Sequence, residues 1–414
     1  MHICIFQTGE PLHIDDGNYR PMRAMLLAEE LIKDGHKVTI ISSSFFHQRK
    51  IFRTDNLKSI EIKVNLKIIL IPSCGYKKNI SLKRLLDHII LSFNLNKFLN
   101  KNNTFRPDKV FIGYPPIETS FVIVRWAKKH NIPVMLDVKD NWPQNYIEPF
   151  PKYFKKIARI FLSPYFMVSK YIFENSDSIS SITFSFIKWI KSFSGNKNLK
   201  INYFVAPLVR KKIKIDNNKK ADFKDYWSKK DISIIEGEYF VFVGSLSNSF
   251  DFELIFKIAN SLIINYPKYN FIICGDGDKF EELTILFKSL NNVFLIGEVD
   301  KYHATLLIQN SIATIAPYFN NQNFNDSIPN KVIESLENGV PFITNTDGEL
   351  KRLIEKYSNG IYLNKNFKDF YKIEKLIEDK KYNQFLRKNS LNSFENLFNF
   401  EKTYQKIILN LKNM

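Results

Sequence analysis

The sequence is poor in cysteine. Three occur in 414 residues, at Cys4, Cys74 and Cys274. They stand far apart, with no zinc or redox spacing, and read as small buried apolar residues of a reducing compartment. The seven histidines form no metal-ligand cluster either. No run of about eighteen apolar residues occurs, so no transmembrane helix is expected. The opening Met1-His-Ile-Cys-Ile-Phe-Gln-Thr-Gly9 lacks the basic start of a signal peptide and reads as a first buried strand. The chain is therefore expected in the cytoplasm, free or peripheral at the inner face of the cytoplasmic membrane. Acidic residues are in deficit, 42 Asp+Glu against 60 Lys+Arg, for a net charge of +18. An anionic partner follows: nucleic acid, an anionic membrane surface or phosphate-bearing substrates. No recognition helix, zinc finger or aromatic RNA-binding signature is present, which sets nucleic acid aside. Part of the charge reads equally well as plain solvation.

What is present is a globular α/β pattern. The length predicts two domains, and 44% hydrophobic residues with 37 Phe and 19 Tyr predict aromatic-rich cores. Strands are expected at Ile3–Gln7, Lys37–Ser42, Lys109–Gly113 and Val134–Val138, with helices at Arg20–Asp34, Leu82–Asn100 and Glu118–His130. Ile60–Ile71 reads as extended. The second half repeats the scheme, with strands at Tyr239–Gly244, Asn270–Cys274, Val293–Ile296 and Ile312–Ala316 and helices between them. Such alternation implies parallel sheets covered on both faces. Arg210–Lys230 is charged and poorly periodic and reads as a linker or insertion. The expected division is 1–205, 206–385 and a C-terminal segment 386–414.

The most informative stretch is Asp326-Ser-Ile-Pro-Asn-Lys-Val-Ile-Glu-Ser-Leu-Glu-Asn-Gly-Val-Pro-Phe-Ile-Thr-Asn345. Asp326 and Ser327 suit a helix N-cap, and Pro329 suits a first turn. Val332, Ile333 and Leu336 make an apolar stripe, and Gly339 fits a C-cap. The free N–H groups and the positive dipole end of such a helix form an anion site in front of residues 327–331. Lys331 adds a full charge, and Asp326 and Glu334 offer carboxylates to hydroxyls. Phosphate flanked by hydroxyls describes a nucleotide-sugar. The same residues also fit an ordinary capped helix with an acidic surface residue.

This stretch resembles the donor-site signature of retaining glycosyltransferases of family 4: an acidic residue, seven residues, then Glu334, followed by an apolar run, Gly339 and Pro341. Asp326 stands where relatives usually carry Glu. The resemblance implies the GT-B fold, two tandem Rossmann-like domains with the ligand between them and the C-terminal tail crossing back to the first. It implies a nucleotide-sugar donor, with UDP favoured, and a lipid-linked glycan acceptor in the synthesis of bacterial surface polysaccharide. Donor contacts would come from Ser327, Ile328, Pro329, Asn330 and Lys331, with Glu334 on the ribose and Asp326 on the sugar. Helix and lysine supply the positive charge, so no cofactor or metal is expected.

Other loops extend the match. The loop Gln7–Pro21 is no dinucleotide fingerprint, which argues against an NAD enzyme. In the resemblance it approaches phosphate and acceptor through backbone at Gly9, with Arg20 in reach of phosphate. Phe242-Val-Gly244-Ser245-Leu246 opens the second half, and relatives often carry Arg and Lys soon after that glycine. Here no cation follows until Lys257, and Lys331 is assigned the missing work. Gly275-Asp-Gly277 and Gly297-Glu-Val299 match loops around base and diphosphate. Asp137-Val-Lys139-Asp140 with Trp142-Pro143, and Tyr114-Pro-Pro116 upstream, look like the polysaccharide-building subgroup. Asp140 is read as an acceptor or sugar contact and Lys139 as its charge balance. A buried Asp–Lys pair that pins the loop is the competing reading.

Lys152-Tyr-Phe-Lys-Lys-Ile-Ala-Arg-Ile-Phe-Leu162, running on to Lys170-Tyr-Ile-Phe173, is basic and aromatic. It fits a helix on an anionic membrane surface and equally a core helix with lysines on its wet side. Leu82–Phe98 carries the same two readings. Two other functions stand beside sugar transfer: a sugar-nucleotide epimerase on the same fold, and a non-enzymatic basic module for anionic lipid or nucleic acid.

Overall fold

Short apolar runs with amphipathic helices between them leave one economical arrangement, strands in the centre and helices outside. The computed structural model shows this twice. It describes residues 1–15, 21–79, 81–148, 150–194, 201–213, 215–230, 232 and 235–414. The chain divides into two compact units, Met1–Arg210 with Phe400–Met414, and Lys211–Asn399.

The first unit holds β1 (His2–Phe6), β2 (Lys37–Ser43), the small pair β3 (Phe45–Phe46) and β4 (Ile51–Phe52), β5 (Lys58–Lys63), β6 (Leu66–Ile71), β7 (Lys109–Tyr114), β8 (Val134–Val138), β9 (Ser178–Ser181) and β10 (Asn202–Val205). Its main sheet runs β10-β9-β8-β7-β1-β2-β6-β5. All neighbours are parallel except β5 with β6. The stretch Ile60–Ile71, read as one extended segment, is thus a hairpin. Asn65 turns it at φ +66, a conformation Asn tolerates better than most residues. Lys58 and Lys63 lie on the edge strand, where charge discourages further pairing. β1, β7 and β8 are central and almost wholly buried, as their largely apolar composition requires.

The second unit holds β11 (Tyr239–Val243), β12 (Asn270–Cys274), β13 (Val293–Gly297), β14 (Ala313–Ile315), β15 (Phe342–Thr344) and β16 (Gly360–Tyr362). They form one parallel sheet in the order β13-β12-β11-β14-β15-β16. That is the doubly wound order, and it reverses direction between β11 and β14. In the first unit the corresponding reversal lies between β1 and β7.

Two expectations change. Arg210–Lys230 is not a bare linker, because Asn217–Ser228 is a helix of the second unit. Its anchor is Trp227, fully buried with Phe223 against Leu306 and Leu307, while Tyr226 stacks on His303 at 3.6 Å. One aromatic face is enough to dock a helix whose other residues are mostly polar or charged. The tail 386–414 is two helices in different units. Lys380–Leu397 stays with the second, and Phe400–Asn413 joins the first. The latter buries Phe400, Tyr404, Ile407, Ile408 and Leu411 on one face, and Lys412 pairs with Asp34 at 2.5 Å. Trp227→Ala should cost about 3–5 kcal/mol, read as a lower denaturation midpoint. A linker residue would leave the midpoint unchanged.

Candidate active site

In open parallel sheets ligands collect beyond the carboxyl ends of the strands where the order reverses. In the second unit that place is built from glycine. Gly244 follows β11 at φ +146, and a Cβ there would lie 1.4 Å from Lys331 Nζ. Gly275 follows β12 at the same φ, and a Cβ there would lie 1.9 Å from Gly244 O. The two loops are stitched together, with Gly244 N–H donating to Cys274 O at 2.9 Å, Gly275 N–H to Gly297 O at 2.7 Å and Leu246 N–H to Asp276 O at 2.9 Å. Three successive strand ends thus become one backbone surface without side chains in the way. Gly277 belongs to it, while Ser245 is exposed at its rim and Val299 is half-buried against the core.

Lys331 reaches this surface from the helix Asn330–Glu337. Its ammonium donates to Val243 O, the last carbonyl of β11. It also lies over the rings of Phe242 and Phe250, 4.3 and 4.9 Å from their centroids. Burial pushes Lys331 down to about 8, against the opposing pull of Glu334. Glu334 sits one turn further along the same helix. A cation so poorly hydrated gains strongly from an incoming anion, and the adjacent first turn offers N–H groups with no partner inside the helix.

The caps differ from expectation. The helix starts at Asn330, and Pro329 occupies the cap position with ψ 155. Asp326 and Ser327 instead close a preceding short helix, Gln322–Asn325, whose own cap is Asn321. Asp326 is buried and accepts from Gln322 Nε2 at 2.6 Å, and Ser327 Oγ donates to Phe324 O at 3.3 Å. Ile328, Pro329 and Asn330 are half-buried along the entry to the helix. The apolar stripe stands as read, with Val332, Ile333 and Leu336 buried, and Gly339 follows the helix at φ +64. The structure therefore brings Gly244, Gly275, Gly277 and Lys331 together, whereas Asp326 is engaged by its own short helix.

The first unit has a cavity of about 200 Å³ at the reversal of its sheet. Gln7, Thr8, Gly9 and Glu10 after β1, Tyr114, Pro115 and Pro116 after β7, and Lys139 and Asp140 after β8 line one side. Helix Leu82–Lys101 contributes Arg84, Asp87 and His88, and His47 and Tyr76 complete the wall. Arg20 lies outside the described residues. Lys139 is held inside the wall, donating to Gln7 Oε1 at 3.0 Å and Glu10 Oε1 at 2.5 Å, with Asp137 Oδ2 at 3.8 Å. Asp137 is fully buried between Lys139, Arg23 at 3.4 Å and Ser180, which donates at 2.7 Å. Glu10 also accepts from Ala24 N–H at the start of helix Arg23–Lys33. Two cations and two carboxylates thus balance in the interior and lock the β1 and β8 loops together. Asp140 remains on the cavity wall.

His47, Tyr76, Arg84 and Asp87 escaped the sequence reading, as did Glu10 and Arg23. His47 is pushed down to about 4 by burial and by Lys50 and Arg84 beside it, so its imidazole is neutral near pH 7. The spacing of Arg84, Asp87 and His88 on one helix face was the available signal. Among the described residues no cluster of three or more His, Cys, Asp or Glu is placed to hold a metal ion.

Residues 225–392, less than half of the chain, match the family model of glycosyl transferases group 1. No curated protein matches the chain. Solved structures resemble it along its whole length. A sucrose-phosphate synthase from Thermosynechococcus elongatus is 14% identical, with a TM-score of 0.69 over 100% of this chain and 98% of that one. Anabaena HepE in complex with UDP is 13% identical, with a TM-score of 0.67 over 100% of both chains. WaaG, a glycosyltransferase involved in lipopolysaccharide biosynthesis, is 11% identical, with a TM-score of 0.67 over 99% of both. The likeness to these structures shows the GT-B fold, two Rossmann-like parallel-sheet units in one chain. The family match covers the glycine-lined surface and Lys331. Gly275→Ala should abolish the close approach of the β11 and β12 loops and lower the denaturation midpoint strongly. Gly237→Ala, also at positive φ but with open space around it, should lower the midpoint less.

Proposed function

We propose that the protein is a retaining glycosyltransferase that moves a sugar from a nucleotide-sugar, UDP-linked by preference, to a lipid-linked glycan in surface-polysaccharide synthesis. The observation that carries this reading is Lys331. Its ammonium sits at the end of β11, in the first turn of a helix, where Gly244 leaves it room against the strand end. The bound diphosphate would take the ammonium and the first-turn N–H groups as hydrogen-bond donors. Those groups favour the leaving group most as charge develops on it during bond breaking. Glu334 would receive the ribose hydroxyls. The acceptor hydroxyl would attack from the side on which the diphosphate departs and pass its proton to the departing phosphate oxygen, so the reaction needs no side-chain nucleophile. Positioning and electrostatics then supply the catalysis. Asp326 and Asp140 are assigned to the transferred sugar and the acceptor, and Lys139 keeps the Asp140 loop in place. No divalent ion enters this scheme, so chelator should leave turnover unchanged.

HepE supports the nucleotide, since that neighbour is solved with UDP, and WaaG supports the pathway by its stated role. Lys331→Ala should weaken UDP and UDP-sugar binding by about tenfold or more, the loss of one charge-assisted hydrogen bond, in a calorimetric titration. The pH dependence has a definite sign. In the free protein Lys331 loses its proton as pH rises through about 8. A bound diphosphate keeps the lysine protonated. Affinity should therefore be flat below that pH and fall roughly tenfold per unit above it. A flat profile to pH 9 in the wild type, or the same slope in Lys331→Ala, would remove Lys331 from the donor site. Transfer of labelled sugar to a separate acceptor distinguishes this reaction from epimerisation.

A further inference from the structure

The helix Lys155–Phe161 buries a single side chain, Ala158. Around it Tyr153, Phe154, Ile157, Ile160 and Phe161 are exposed at 89, 57, 50, 71 and 80%. Met167 on the next helix, Ser163–Glu174, is 72% exposed. Helices of water-soluble domains turn such residues inward. The charges nearby are mostly basic, with Glu148 and Glu174 at the two ends pairing with Lys155 at 2.9 Å and Lys170 at 3.8 Å. Lys152, Lys156, Arg159 and Lys170 are exposed, and no Asp or Glu occurs from Phe150 to Phe173.

A second stripe lies on helix Leu82–Lys101. Leu82, Leu86, Ile89 and Phe93 are exposed at 85, 50, 47 and 68%, and their spacing puts them on one face. The opposite face carries Arg84, Asp87, His88 and Leu91 into the cavity of the first unit. The two stripes belong to one structural block, since helices Leu82–Lys101 and Ser163–Glu174 both pack on helix Ile117–Lys129. An aromatic chain links them as well, from Arg84 over Trp142 at 5.2 Å, to Tyr146 at 4.2 Å, to Tyr165 at 5.6 Å.

We infer that these two stripes form a membrane-docking surface for a bilayer containing anionic lipid. Aromatic and aliphatic side chains enter the headgroup boundary, and the lysines and Arg159 meet lipid phosphates. Charge decides the occupant: a second copy of this chain would bring two basic rims together, whereas an anionic headgroup layer neutralises one. Among the described residues no helix is long and apolar enough to cross the membrane, so the association is peripheral. One consequence rests on the proposed function. The cavity lies across a single helix from the docking stripe, about 10–12 Å, so a lipid-linked acceptor reaches it without leaving the membrane.

The test is flotation with phosphatidylcholine vesicles, with and without phosphatidylglycerol. Wild type should float only with the anionic vesicles and release at high salt. The triple variant Phe154→Ser, Ile160→Ser, Phe161→Ser should partition at least about tenfold less. Lys152→Glu with Lys156→Glu should lose the preference for anionic lipid. UDP binding serves as the control, because these exposed residues lie outside the donor site. Retained UDP binding with lost flotation supports the docking surface. Failure of wild type to float, equal flotation of the triple variant, or a dimer in solution that the triple substitution dissolves would each overturn it. Loss of UDP binding by Lys331→Ala with flotation intact tests the functional reading separately.

Discussion

A half-buried lysine cation organises the strand-end loops of the second unit. Lys331 keeps its ammonium among a carbonyl and two aromatic faces, and burial lowers its affinity for the proton. Much of the local architecture follows from making room for that group. Gly244 exists because any side chain would overlap the ammonium, and Gly275 because any side chain would strike the Gly244 carbonyl. The loops can then bond to each other through backbone alone. The Phe242 and Phe250 rings soften the desolvation of the charge.

The first unit solves a related problem by balance rather than exposure. Asp137 is completely buried at the end of β8, where a lone carboxylate would be untenable. Arg23, Lys139 and Ser180 answer it, and Glu10 answers the second cation. The same bonds that neutralise these charges set the distance between the β1 and β8 loops, and so shape the cavity mouth. Stability and site geometry are one arrangement here, because breaking a buried ion network leaves an uncompensated charge next to the cavity.

The sheets were legible because strand composition reports burial directly. Central strands such as Val134–Val138 are apolar but for one buried carboxylate, Asp137, and the bounds of that strand agree with the reading. The glycines at 244, 275 and 277 were legible because strand-end glycines imply backbone close to backbone or ligand. Three things were hidden. Asn217–Ser228 has a weakly amphipathic, charged sequence and docks through a few aromatics, so periodicity says little about it. The caps before Lys331 were misplaced because the short helix Gln322–Asn325 claims Asp326 and Ser327 for its own end. The buried Asp–Lys pair at 137 and 139 was among the readings, but its partners Glu10 and Arg23 lie more than a hundred residues away, and no local pattern encodes them.

The placement of the last helix carries a consequence for biosynthesis. Phe400–Asn413 belongs to the first unit, yet the ribosome makes it after the whole of the second. It packs on helix Arg23–Lys33, where Tyr404 lies 5.8 Å from the Arg23 guanidinium and helps enclose it. A nascent chain that has emitted both sheets therefore still leaves that apolar groove, and the edge of its buried charge network, open to water. The first unit is therefore sealed only once residues 400–413 have been made, and loss of that helix would leave helix Arg23–Lys33 exposed.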